Sequence, residues 1–186
     1  MEDLIDVLTK TGQPTGDIAP KLQVHQKGLY HNTAHIWFYT ADGDILLQQR
    51  SATKTICPLL WDVSVAGHVD AGETVRQAAV REIREEIGAH ISETELQKIG
   101  VFQCFNSYPN GLLDNEFHHT FIAKTKVKLE DFVPQETEVE ALKYVSIAQF
   151  HDILKSIGKN NHFVPTNKTY YQFVIDRIVQ AIESNL

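Results

Sequence analysis

The chain has 186 residues, with 17 lysines and arginines against 24 aspartates and glutamates, giving a formal net charge of −7. At 42% apolar and 22% charged, it has a globular composition, which excludes a disordered or collagen-like chain. The acidic balance argues against a surface built for nucleic-acid backbone, and no apolar run is long enough to span a bilayer. Met1 to Asp6 is acidic, with neither a basic nor an apolar leader segment, and does not read as a signal peptide. Cys57 and Cys104 are too few for a disulfide framework and are not spaced as a zinc motif, so a reducing cytoplasmic setting is expected.

Residues 3–9 alternate Leu4, Asp6 and Leu8 against Ile5 and Val7 and predict a strand, followed by a turn over 11–16. Residues 33–40 and 45–49 predict two strands of a hairpin around the turn signal Ala41-Asp-Gly-Asp44. A short strand over 61–66 is closed by Gly67. Residues 74–87 predict a helix, with Val75, Ala79, Ile83 and Ile87 recurring every four residues and Gly88 in the C′ position. Strands over 99–105 and 116–124 flank the turn Tyr108-Pro-Asn-Gly111, and a brief strand covers 142–145. Ser146 caps a helix carrying Ile147, Phe150, Leu154 and Ile157, stopped at Gly158. A last helix over 167–183 aligns Tyr171, Ile175, Ile178 and Ile182. Strands and helices mix without strict βαβ alternation, which predicts an α/β (α+β) sandwich on a mixed β-sheet.

The chemistry concentrates in the predicted helix over 74–87. Glu82, Glu85 and Glu86 stand at i, i+3 and i+4, so their carboxylates share one stripe beside the apolar one. A bare E-x-x-E-E is most often a solvated acidic face. Beside a core, however, such a cluster offers the oxygen ligands that a hard divalent cation needs. Gly67 and Gly72 let the preceding loop bend and bring carbonyls toward the same place.

The wider segment resembles the Nudix box, G-x5-E-x7-R-E-U-x-E-E-x-G-U, with U a bulky aliphatic residue. Gly67, Glu73, Arg81, Glu82, Ile83, Glu85, Glu86 and Gly88 all fit, and Ala89 is the one departure. The resemblance implies a Nudix-type α/β/α sandwich and a divalent-metal pyrophosphohydrolase acting on a small-molecule diphosphate. Glu82, Glu85 and Glu86 would hold Mg²⁺ or Mn²⁺, with the Gly67 carbonyl nearby, and Glu73 and Arg81 would brace the loop and helix. Glu85, Glu86 or the acidic loop Glu136-Thr-Glu138-Val-Glu140 could supply the base.

A second resemblance covers more of the chain. Leu46-Leu-Gln-Gln-Arg50-Ser-Ala-Thr-Lys54, Pro58-Leu-Leu-Trp61, Ala66-Gly-His68 and Asp114-Asn-Glu116 are similar to isopentenyl-diphosphate isomerases and their hydrolase-like relatives. That branch implies a further metal site at His31, His68, Asp114 and Glu116, with His25 if one residue of gap is allowed. Imidazoles and carboxylates together suit Mn²⁺ or Zn²⁺. It also implies diphosphate binding by Arg50 and Lys54, with Glu138 near the substrate. Where the isomerases carry a catalytic Cys this chain has Ala66, and a methyl group moves no proton.

Hydrolysis of a nucleoside diphosphate linked to a second group, or of an isoprenoid diphosphate, is therefore expected. An isomerase or a non-catalytic binding module remain as alternatives. The segment 6–12 resembles the start of isomerase-like Nudix proteins of bacteria and plants and implies an N-terminal hairpin. The domain reading is a hairpin extension over 1–30, a Nudix core over 31–150 and a helical segment over 151–186. A homodimer is implied only by analogy of fold. His118 and His119 would lie on opposite faces of a strand and read as structural. Tyr108 or Phe105 could stack on a base or an isoprenoid tail.

Overall fold

The computed structural model describes residues 3–159, 162–164 and 168–184. Nine strands form one continuous but branched sheet between a helix on one face and two helices on the other. The central strand, β3 (Tyr30–Tyr39), runs parallel to β8 (Leu113–Lys124) over its full length. On its other side it pairs antiparallel with β6 (Val65–His68), and β7 (Gln97–Ser107) closes the outer edge against β8. The branch consists of β4 (Asp44–Arg50), with β5 (Trp61–Asp62) and β9 (Val139–Ser146) beside it.

Alternation along β3 divides the core between two layers. Ala34, Ile36 and Phe38 face α2 (Val75–Ile87) through Ala79, Ile83 and Ile87. Trp37 and Tyr39 face the opposite layer, formed by α3 (Ile147–Lys155) and α4 (Lys168–Glu183), through Phe150, Tyr171, Ile175 and Ile178. Both α2 and α3 start on capping boxes, Thr74 with Gln77 and Ser146 with Gln149, which satisfy otherwise orphaned backbone donors.

Several expectations are corrected. The hairpin over 33–49 closes only at its tip, where Tyr39 faces Ile45. Beyond it the strands diverge, and the Ser64 hydroxyl bridges the gap, accepting from Phe38 N and donating to Leu46 O. For the same reason the strand expected over 61–66 is two pieces in different branches of the sheet. The helix expected to reach Gly158 ends at Lys155, where the Ser156 hydroxyl bonds the Ile153 carbonyl. The expected start of the last helix, Asn167, lies outside the described residues.

At the N-terminus, β1 (Leu4–Leu8) and β2 (Pro14–Pro20) form an antiparallel hairpin. A seven-residue helix, α1 (Lys21–Lys27), follows it and was not expected. Pro20 before it and Gly28 after it, the latter at φ 61°, are the punctuation that marks such a helix. The hairpin meets the loop ahead of α2: Ala71 N donates to Leu4 O and Gly72 N to Asp6 Oδ2. Among the described residues no helix is long and apolar enough to cross a membrane.

Candidate active site

A cavity of about 790 Å³ opens at the end of the sheet where β3, β6, β8 and α2 converge. One wall is the acidic face of α2. Arg81 is its organising residue. Its Nη2 reaches Glu73 Oε2 at 2.9 Å and the His68 carbonyl at 3.0 Å, while Nη1 reaches Glu82 at 2.8 Å and Glu85 at 3.2 Å. One guanidinium thus ties the loop to the helix and offsets the repulsion among the carboxylates. Burial works against its charge, but Glu73 and Glu82 outweigh that and raise its pKa.

Gly67 has a steric role. A Cβ at this position would overlap the Glu82 carboxyl group, so glycine here leaves the space that this carboxylate occupies beside β6. Gly88, at φ 68°, ends α2 in the left-handed conformation. Ala89 packs in the core cluster beneath the helix, so the one departure from the box falls on packing.

The three glutamates differ in environment. Glu85 is exposed, Glu82 is partly buried, and Glu86 is 4% exposed, accepting from Gln48 Nε2 at 3.2 Å and Ala66 N at 3.3 Å. Burial, then the nearby Glu82 charge, pushes the Glu86 pKa up to about 8. Burial likewise raises Glu82, with Arg81 pulling the other way.

The second wall is a histidine cluster. His25 from α1, His31 from β3, His68 from β6 and Glu116 from β8 place one donor atom each within 4.8 Å of one another. Behind them, Asp114 accepts from His25 Nδ1 at 2.7 Å and from the Tyr108 hydroxyl at 2.8 Å. His31 Nδ1 bonds the Leu29 carbonyl at 2.9 Å. That leaves Nε2 aimed inward, 3.4 Å from Glu116 Oε1, buried and with no hydrogen-bond partner among the described residues. Burial, and next the Lys21 ammonium, hold the His68 pKa well below its ordinary value. Converging imidazoles, an orphaned inward nitrogen and a carboxylate backing one ring fit a divalent cation. Of the five residues expected to ligate there, four converge and Asp114 stands behind His25.

The expected phosphate-binding residues also line the cavity, but in committed forms. Arg50 Nη1 pairs with Asp62 at 3.1 Å and its Nε donates to the Ile56 carbonyl at 3.1 Å. Lys54 pairs with Glu138. Within the acidic loop, Glu138 lines the cavity, whereas Glu136 and Glu140 are exposed outside it. Tyr108 lines it too. Phe105 instead packs on the opposite face against Tyr30 and Phe117, because it alternates with the inward-facing Cys104 and Asn106.

Sequence reading missed Gln48, His35 and Tyr170, and took His118 for a structural residue. His118 and His119 do fall on opposite faces, but His118 lies in the cavity, 2.7 Å from Glu116 Oε2 and stacked on His35. Burial opposes its charge, yet Cys104 and Glu116 beside it push its pKa up to about 10. Their spacing in β3 and β8 holds no helix-like or motif-like signal, and only strand alternation could have flagged them.

These features agree with the comparisons with known proteins. The NUDIX domain family matches residues 29–166. The chain is 37% identical over 158 residues to Nudix hydrolase 3 of Arabidopsis thaliana, covering 82% of this chain but only 20% of the plant protein. It is 30% identical to isopentenyl-diphosphate Delta-isomerase 2 of Photorhabdus laumondii, covering 84% of each chain. A crystal structure of a Deinococcus radiodurans protein shares the fold with TM-score 0.65 at 16% identity, over 83% of this chain and 90% of that one. The chain belongs to the Nudix family, in the branch that includes isopentenyl-diphosphate isomerases, and is a Nudix hydrolase by class. Nudix enzymes generally use divalent metal ions.

Proposed function

We propose that this protein hydrolyses the diphosphate bond of a small molecule, either a nucleoside diphosphate linked to a second group or an isoprenoid diphosphate. The observation that carries the reading is the coexistence in one cavity of the Arg81-braced glutamates with Ala66. The machinery for metal-assisted water attack is complete, while the position that carries a proton-transferring thiol in isomerases bears a methyl group. Mg²⁺ or Mn²⁺ held by Glu82, Glu85 and Glu86, beside the Gly67 carbonyl, would neutralise diphosphate oxygens and lower the pKa of a bound water.

The remaining roles belong to the chain's own side chains. Glu73 and Arg81 hold the glutamates in place. Gln48 orients Glu86 through its amide. Lys54 and Arg50 present positive charge to the diphosphate, Lys54 by exchanging its Glu138 partner for a phosphate oxygen. Glu86, or Glu138 once released, accepts the proton of the attacking water. The His25–His31–His68–Glu116 cluster, with Asp114 behind it, would hold a second type of cation in the same cavity. We assign residues 31–150 to the catalytic core, with 1–30 as an extension seated on the box loop and 151–186 as the helical cover. A cytoplasmic location and a homodimer belong to the same reading.

The direct test is product analysis by mass spectrometry on purified protein in Mg²⁺ and in Mn²⁺. The panel contains nucleotide sugars, dinucleotides, nucleoside triphosphates and isopentenyl diphosphate. Metal-dependent release of a monophosphate from a member of the panel is the expected result. Dimethylallyl diphosphate as the sole product would replace the reading with isomerisation, and tight binding without any product would make the protein a binding module.

A further inference from the structure

Beyond the four-residue histidine cluster, a second group of donors lines the same cavity. His35 on β3, with His118 and Glu116 on β8, places one donor atom each within 4.8 Å of one another. Glu116 belongs to both groups and divides its oxygens between them: Oε1 lies 3.4 Å from His31 Nε2 and Oε2 lies 2.7 Å from His118 Nε2. The two groups are built from inward positions of the same paired strands, His31 and His35 on β3 with Thr33 between them, and the successive Glu116 and His118 on β8.

A second observation points to a ligand here. Four buried side-chain polar atoms lack a hydrogen-bond partner among the described residues: His31 Nε2, Thr33 Oγ1, Gln48 Oε1 and His118 Nδ1. Two of them, His31 Nε2 and Thr33 Oγ1, lie on this strip of β3, with Thr33 between its two histidines, whereas His118 Nδ1 is on the ring edge away from Glu116, beside Cys104. A buried polar atom left unpartnered is unfavourable, so the pair on β3 marks a place where something polar or charged is bound. The rings of His35 and His118 stack with centroids 3.8 Å apart.

We propose that His35, His118 and Glu116 form a second nitrogen-rich cation site, joined to the His25–His31–His68 site by Glu116 as a bridging carboxylate. Two imidazoles with one carboxylate favour a first-row transition ion such as Zn²⁺ or Mn²⁺ over Mg²⁺, which takes oxygen ligands. The ion would replace the proton now shared between Glu116 Oε2 and His118 Nε2. The cavity would then carry two kinds of metal centre, an oxygen-liganded one on α2 and a carboxylate-bridged pair on β3 and β8. The pair rests on the histidine part of the proposed function, while the hydrolytic reading rests on the glutamates.

The test separates the two. In a Glu82→Gln/Glu86→Gln background, which removes the oxygen-liganded site, native mass spectrometry of the folded chain counts bound Zn²⁺. Electron paramagnetic resonance of the Mn²⁺-loaded protein reports whether bound ions are exchange-coupled. Two ions per chain and a coupled manganese spectrum are expected. His35→Phe, which keeps the ring stack but removes the donor, should lower the count to one and leave an isolated-ion spectrum. His118→Gln serves the same purpose if circular dichroism shows that His35→Phe does not fold. A count of one in the background protein, or two ions that survive both variants, overturns the proposal. A count of zero overturns it together with the His25–His31–His68 site, but leaves the product assay to judge hydrolysis.

Discussion

The acidic face of α2 and the histidine strip of β3 and β8 share a cavity, yet they handle charge in opposite ways. The glutamates are ionisable oxygens crowded on one helix. Their repulsion is managed by a single cation, Arg81, which bonds Glu73, Glu82 and Glu85. The strip places its imidazoles in the buried interior, where several polar atoms go unpartnered. A neutral ring can be buried at modest cost, whereas a carboxylate must be braced or protonated. One site is thus prepared by internal ion pairs that substrate and metal must compete with, and the other joins a single such pair, His118 with Glu116, to the unpartnered Nε2 of His31 and Oγ1 of Thr33.

The contrast is broken most forcefully at Glu86. Glu86→Gln should lower turnover roughly 10²- to 10⁴-fold while leaving the circular dichroism spectrum unchanged; retained activity in a clean preparation would refute the role given to the glutamates. The same residue makes the metal-free protein pH-sensitive. Its folded pKa of about 8 lies above the ordinary carboxylate value, so the folded state binds the extra proton between the two. Stability in the presence of a chelator should fall by an amount on the order of a few kcal/mol as pH rises from about 4.5 to about 8. Urea denaturation at a series of pH values would show a flatter profile for Glu86→Gln.

A smaller effect is expected at Arg81. Arg81→Lys keeps the charge but cannot span Glu73, Glu82 and the His68 carbonyl at once. Activity and Mg²⁺ affinity should fall roughly 10- to 100-fold, and isothermal titration with Mg²⁺ measures this. An unchanged affinity would mean that the glutamates need no brace. The smallest effect sharpens the distinction between the walls. Asp114→Asn removes the carboxylate behind His25 and should weaken Zn²⁺ binding by about 10-fold with Mg²⁺ affinity untouched. Equal losses for both ions would merge the two sites into one.

How much was readable in the chain follows the same division. Glu82, Glu85 and Glu86 lie within five consecutive residues, where helical periodicity alone places them side by side, and the box spacing added Glu73 and Arg81. The cap Ser146 and the terminal Gly88 were equally legible, because capping depends on neighbours three or four residues apart, whereas Thr74, read as the first helical residue, is the cap of α2. His25 could be assigned only with a gap allowed, since its helix, α1, was not anticipated. His35 and His118 went unrecognised, for their meeting depends on the parallel register of β3 with β8, which pairs His35 with Thr120 and Thr33 with His118.

The sequence by itself determined the fold class, the helix that carries the carboxylates, and the glycine that ends it. These are consequences of local geometry: side-chain spacing along one helix, or the absence of a Cβ. Tertiary structure decided that β3 and β4 part after their tip, that the 61–68 segment changes branches, that Arg50 and Lys54 are held by Asp62 and Glu138, and that His31, His35, Glu116 and His118 meet on one strip. Strand pairing joins residues far apart in the chain, and its register is set by burial on both faces of the sheet at once, which no short stretch of sequence encodes.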